Sequence, residues 1–425
     1  MAGWQCNLRG MKMENRVVIT GMGVVSPVGN HMESFWNNIK EGMCGISLLD
    51  ESQKAKDVDI HVAGIVKDFD PSQYIDKKEQ KRLAKFSQFA IYAAKEALEN
   101  AKVDMAKEDA TRVGVIVGSG IGHLEGSYEE AIKLNEKGGK RVSPMYIPKS
   151  IGNMAAGNVA IYTGAKGICS AVVTACASGS HCIGEAYRNL KHGYSDMIIA
   201  GGAESCITPL AVAGFNAITA LSKSEEPKRA SIPFDKERNG FVMGEGAGIL
   251  ILETLQHAQN RGANIIAEIV GYGATGDAYH VTSPALDGDG AARAMKEAIK
   301  EAGIEPSQVD YINAHGTSTH YNDSCETVAI KKALGENTKV AISSTKSMTG
   351  HLLGAAGSVE AIIIAKALQE DFIPATIGYK VPDEECDLDY VPNEGRNAKV
   401  EYAMSNSLGF GGHNATLLMK KWREE

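Results

Sequence analysis

Along the chain, short runs of β-branched and aliphatic residues alternate with longer stretches whose apolar residues return every three or four positions. The short runs fit strands and the long stretches fit amphipathic helices. Strands are expected at Arg16–Thr20, Val113–Val117, Met197–Ala200, Ala247–Leu252, Ala267–Gly271, Val309–Asn313 and Val340–Ser343. A last pair, Tyr402–Ser405 and Asn414–Lys420, flanks a glycine-rich turn and reads as a hairpin. Helices are expected over Lys85–Asn100, Ser178–Lys191, Gly290–Ala302 and Leu352–Gln369. This alternation predicts an α/β fold, with helices covering sheets. No apolar run approaches the about 20 residues that span a bilayer, so no membrane segment is expected.

The pattern also repeats itself. ICSAVVTACASGSHCIGEAYRNLKHG in the front half is an apolar strand, a turn and a small-residue helix; VAISSTKSMTGHLLGAAGSVEAIIIAKAL in the back half has the same layout. Strand–turn–helix units are common in α/β proteins, but the pair reads as a duplication, two similar units with a site between them.

Composition narrows the picture. The chain has 425 residues, enough for two domains or one large fused unit. A net charge of −8 gives no global basic field for nucleic acid. The eight cysteines form no CxxC or CxxH pair, which argues against a disulfide framework or a zinc site and fits a reducing cytoplasm. Residues 1–15 lack a continuous apolar stretch, so they do not form a secretory signal; they are expected to be a disordered or foreign extension, with Met11 or Met13 a candidate natural start.

Four segments carry candidate chemistry. In the first, Cys176 lies between an apolar strand and a helix whose buried stripe is Cys182, Ile183, Ala186 and Leu190. A helix N-terminus favours a thiolate there. Gly179 and Gly184 would let that helix approach a neighbour closely. A free cysteine is equally often a small buried hydrophobe. In the second, His315 ends a strand and is followed by Gly316 and a run of hydroxyls. In the third, Lys346 and His351 precede a helix rich in glycine and alanine. Taken singly, each histidine reads better as a hydrogen-bonded structural residue, and Lys346 as a solvated charge. In the fourth, glycines flank Phe410, freeing its backbone to aim an N–H at a developing oxyanion, unless the loop is a plain hairpin turn.

Together and in this order, TACASGSHCIGEA (174–186), NAHGTST (313–319), KSMTGHLLGAAG (346–357) and GFGG (409–412) resemble the β-ketoacyl-acyl-carrier-protein synthases of the elongating type II class. VVITGMGVVSPVG (17–29), GFVMGEGAG (240–248) and DAYHVTSP (277–284) match as well, so the resemblance covers the chain from about residue 16. It implies a thiolase-like five-layer α-β-α-β-α fold of two duplicated halves, here 16–264 and 265–425, and a homodimer. It implies a Cys176–His315–His351 triad, the second histidine being the mark of the elongating branch. It also implies a decarboxylative condensation that lengthens an acyl thioester by two carbons, with acyl carrier protein as partner and no metal or organic cofactor. Lys346 would act electrostatically with Glu360 as acidic partner. The N–H groups of Cys176 and Phe410 would form the oxyanion hole, and Phe410 would gate the acyl pocket. Thr317 and Thr319 would bind the pantetheine amides, and Ile121 would floor the pocket. Lys78, Lys81, Arg82, Lys140 and Arg141 would dock the acidic carrier, although a Lys/Arg-rich surface helix is as often merely solvated.

The chain departs from the pattern in places. Thr219 stands where some members carry a docking base, Leu408 where many have Phe, Asn239 where Asp is often seen, and His123 where Gly is common; His413 is a known variant of a loop Thr. None touches the triad, but acyl-length preference becomes less readable. A polyketide ketosynthase subunit would share every catalytic residue. A chain-length factor or decarboxylase lacks the nucleophile that Cys176 provides. A nucleotide-binding protein is suggested only by Gly21-Met-Gly23 and Gly118-Ser-Gly120, neither of which completes a phosphate-binding motif.

Overall fold

Strands apolar on both faces demand cover on both sides, and the alternation along them shows what covers each face. In the computed structural model, which describes residues 14–424, Ile198 and Ala200 face one buried cluster while Met197 and Ile199 face another. The first half runs β1 (Val17–Val25), α1 (Lys85–Asn100), β2 (Val113–Gly118), α2 (Met154–Thr163), β3 (Cys169–Ser170), α3 (Ser178–Lys191), β4 (Met197–Glu204) and β5 (Gly246–Thr254). The second runs β6 (Ala267–Gly276), α4 (Asp289–Ala302), β7 (Tyr311–Asn313), α5 (His320–Leu334), β8 (Ala341–Ser343), α6 (Ala356–Glu370), β9 (Tyr402–Gly409) and β10 (His413–Lys421).

The two halves have one topology. The first sheet is ordered β3-β2-β4-β5-β1 and the second β8-β7-β9-β10-β6. In each, the first three strands are mutually parallel and the last two antiparallel to their neighbours. The internal echo is therefore a duplication. The sheets meet where Val17, Val18 and Ile19 of β1 pair with Ile269, Glu268 and Ala267 of β6.

Helices α1 and α2 cover the outer face of the first sheet, α4 and α5 that of the second, and α3 and α6 lie between. The expected five-layer arrangement is thus present. The central helices are buried nearly all round, as a helix between two sheets must be. Gly179 and Gly184 permit this as expected: a Cβ would lie 2.9 Å from the Ser358 nitrogen at the first and 2.2 Å from the Tyr272 ring at the second.

Three local expectations differ. The strand before Cys176 is only Cys169–Ser170, because the chain leaves the sheet edge and runs irregularly through Ala171–Ala175. The helix expected from Leu352 begins at Ala356, after a single turn of tighter helix, since Leu353 adopts a left-handed conformation (φ +49°). Helix α5 was not expected because its buried face carries Asn322, Asp323, Glu326 and Thr327, which erase the apolar stripe. Most of the expected N-terminal extension, residues 1–13, lies outside the described residues. Its last two residues dock on the end of α3, where Glu14 pairs with Lys191 at 3.0 Å and the Asn15 N–H donates to the Lys191 carbonyl at 2.9 Å.

Candidate active site

Cys176 sits on a sharp turn, two residues before α3. Ala175 before it is left-handed (φ +50°). Ser178 braces the turn: its hydroxyl accepts from the Thr174 N–H at 2.9 Å and donates to the Ala175 carbonyl at 2.7 Å. The sulfur lies at the bottom of a cleft of about 400 Å³, which is also lined by His315, Thr317, Thr319, His351 and Phe410. These residues come from both halves, which the duplication brings together at the cleft.

Although Cys176 opens onto the cleft, burial pushes its thiol up to about 12. The positive charge of Lys346 and the N–H groups of Cys176 and Phe410 pull the other way, while Glu204 adds to the rise. The N–H groups and Lys346 favour the thiolate, but burial acts against them. Removal from water outweighs two N–H dipoles and one lysine. The two N–H groups expected to form an oxyanion hole both address the sulfur.

The imidazoles of His315 and His351 stand edge to face with centroids 5.3 Å apart. Burial, then the charge of Lys346, holds both well below the ordinary histidine range, so both are neutral near pH 7. The backbone around His315 is pinned by Glu326 on α5, which accepts from the N–H groups of His315 and Gly316 at 2.8 Å each. His351 is fixed by its N–H donating to the Val242 carbonyl at 2.7 Å and by the ring of Phe241 at 5.4 Å. Glu326 was missed in the sequence because nothing distinguishes a buried carboxylate from other helical glutamates.

Lys346 does not line the cleft. It is buried beside it, and its Nζ is paired with Glu360 on α6, the partner expected for it. Thr317 and Thr319 face the cleft with their hydroxyls 2.9 Å apart. Phe410 heads a turn continued by the left-handed Gly411 and Gly412 (φ +87° and +74°). The turn is tied to the 277–284 segment, with the Gly411 N–H donating to Val281 at 2.7 Å and the Asp277 N–H to Gly412 at 2.9 Å.

Not every singled-out residue joins the cleft. Ile121 lies on the turn after β2, 39% exposed, and does not line the cavity beside Cys176. Lys78, Lys81, Arg82, Lys140 and Arg141 are all exposed on the surface. Lys149, which the sequence reading passed over, donates to the Lys81 carbonyl at 2.7 Å and brings its basic side chain to the first of these stretches. Thr219, Asn239 and Leu408, three of the departures, line the cleft wall.

Comparison with known proteins agrees with this geometry. Residues 14–258 match the family model "Beta-ketoacyl synthase, N-terminal domain" and residues 266–380 match "Beta-ketoacyl synthase, C-terminal domain". The chain is 51% identical to a 3-oxoacyl-[acyl-carrier-protein] synthase 2 of Staphylococcus aureus, over 97% of this chain and all of that one. It is 50% identical to the protein of the same name from Synechocystis, over 96% and 99% of the two chains. Among solved structures, it is similar to a beta-ketoacyl synthase from Burkholderia phymatum (TM-score 0.89, 35% identity, 96% and 100% coverage). It is equally similar to a chain from a type II polyketide-synthase acyl-carrier protein in complex with its ketosynthase (TM-score 0.89, 36% identity, 96% and 100% coverage).

Proposed function

The chain belongs to the beta-ketoacyl synthase family, and from that premise we propose that it is an elongating 3-oxoacyl-[acyl-carrier-protein] synthase. The observation that carries this is the cleft itself: one cysteine sulfur addressed by two N–H groups, beneath two neutral imidazoles.

In the first half-reaction the Cys176 sulfur attacks the carbonyl carbon of an acyl thioester on acyl carrier protein. The N–H groups of Cys176 and Phe410 stabilise the tetrahedral oxyanion. The C–S bond to the carrier breaks, and the thiol proton of Cys176 leaves with the pantetheine sulfur. In the second, malonyl carrier protein loses CO2, and the electron pair of the broken C–C bond becomes an enolate. His315 and His351 donate hydrogen bonds to its oxygen, which neutral imidazoles do without surrendering a charge. The enolate carbon attacks the acyl group and expels Cys176 as a thiolate, which regains its proton from solvent, giving a 3-oxoacyl product two carbons longer. Lys346 supplies positive potential to all three reacting side chains. Thr317 and Thr319 hold the pantetheine amides and Phe410 gates the pocket; Ile121, which lies outside the cavity beside Cys176, is taken as the floor of a deeper acyl channel opened when the gate moves. Lys78, Lys81, Arg82, Lys140 and Arg141 receive the acidic carrier.

The halves are taken as 16–264 and 265–425, and the molecule as a homodimer in the cytoplasm. Dimerisation is supported by the unpaired edge of β3 and the exposed apolar side chains around it, Ile161 (74%), Val173 (55%), Ile151 (48%) and Ile168 (41%). A cytoplasmic site is supported by the free state of all seven cysteines among the described residues; no helix among these residues is long and apolar enough to cross a membrane. Fatty-acid elongation is preferred to polyketide assembly because identity to the synthase 2 relatives, 51%, exceeds the 36% to the polyketide-related chain. Incubation with acyl and malonyl carrier proteins should release CO2 and yield a 3-oxoacyl carrier protein two carbons longer by mass. Release of CO2 with no longer product would contradict the proposal.

A further inference from the structure

Glu204, the last residue of β4, is fully buried and has no part in the steps above. Its Oε1 accepts from the Ser119 hydroxyl at 2.7 Å and from the N–H groups of Ile121 and Gly122 at 3.3 Å each. Its Oε2 accepts from the N–H groups of Gly120 at 2.7 Å and Gly354 at 3.1 Å. Each of these five groups is placed to donate to the carboxylate and favours its ionised form, against burial, which pushes the carboxyl up. Burying such a group is expensive unless each bond is made.

The bonds join segments distant in sequence. Four come from the turn after β2, and the fifth from Gly354, three residues past His351. A Cβ on Gly120 would lie 2.9 Å from Glu204 Oε2 and 3.1 Å from the carbonyl of Ala175, the residue before Cys176. A Cβ on Gly354 would lie 2.2 Å from the Gly120 nitrogen and 2.8 Å from Glu204 Oε2. Gly120 is thus wedged between the carboxylate and the nucleophile's turn, with Gly354 packed against it. The chain is left-handed at Ala175 and at Leu353, which immediately precede Cys176 and Gly354. Non-glycine residues hold that conformation only where their surroundings force it.

We propose that Glu204 is a positioning residue: it clamps the Ser119–Gly122 turn to Gly354 and so fixes the nucleophile's turn relative to His351. The proposal rests on the condensation described above, in which Cys176 and His351 act on one enolate.

Glu204→Gln keeps the shape, but whichever end its NH2 takes faces at least two donors. In the dimeric, otherwise intact enzyme, KM for both carrier proteins should stay within about twofold and acyl loading nearly so, while single-turnover condensation should fall at least about tenfold. The rate of iodoacetamide alkylation of Cys176 at a fixed pH of about 9 should rise, because the carboxylate opposes the thiolate, and Glu204→Asp should restore it. Equal loss of loading and condensation with an unchanged alkylation rate would mark a merely structural residue and overturn the proposal, as would wild-type behaviour in both. If Glu204→Gln does not fold, Ser119→Ala removes one of the five bonds to Glu204, together with the hydroxyl's bond from the Gly122 N–H, and should show the same pattern in smaller measure; unchanged condensation there overturns the proposal. A wild-type enzyme that forms no acyl adduct would instead overturn the condensation reading itself.

Discussion

Lys346 and Glu360 form an ion pair, 1% and 3% exposed, that spans the turn carrying His351. Removing one member of such a pair leaves a buried charge without compensation, at about 3–5 kcal/mol. Burial already pushes the Glu360 carboxyl up, despite the lysine. A carboxyl raised in the folded state favours folding at low pH, and the benefit is lost as pH rises through its folded value. Lys346→Met should therefore lower stability by about 3 kcal/mol or more at pH 8, and by less at pH 6. Urea denaturation at the two pH values checks this; a loss independent of pH would contradict it.

Cys176 should behave at rest as a thiol. With burial raising it to about 12, its alkylation by iodoacetamide should keep increasing with pH beyond 9, without a plateau. A plateau near neutral pH would show a resting thiolate. The thioester substrate, whose carbonyl oxygen enters the two N–H groups, would then not be needed to draw out the nucleophile.

The two half-reactions should separate genetically. His351→Ala removes a donor to the enolate but none to the loading oxyanion, so malonyl decarboxylation should fall about 100-fold or more while acyl loading falls far less. Rapid-quench assays of each half-reaction read this directly. Equal losses would contradict the division of labour.

Thr317 and Thr319 stand 2.9 Å apart on the cleft wall. If each holds a pantetheine amide, replacing either with Ala should cost about 1 kcal/mol, seen as a rise in KM for carrier-borne substrates of about fivefold with kcat little changed. An unchanged KM would place the arm elsewhere.

Much of this was legible in the sequence because it depends on local chemistry. The strands of both halves other than β3, the central helices with Gly179 and Gly184, and the order of Cys176, His315, His351 and Phe410 follow from periodicity and motif. What could not be read depends on burial by distant segments. The upward push that burial gives the Cys176 thiol comes from residues of both halves. Helix α5 hides because polar residues on its buried face, among them the Glu326 that pins the His315 backbone, interrupt its apolar stripe. Glu204 looks like an ordinary strand-end glutamate until Ser119, Gly120 and Gly354 close around it.

The central claim is that the growing acyl chain is held on Cys176. Intact-mass analysis after incubation with acyl carrier protein alone measures this most directly. Wild-type enzyme should gain the mass of one acyl group per chain, and Cys176→Ala should gain none. An acyl adduct on Cys176→Ala, or its absence from competent wild type, would contradict the account.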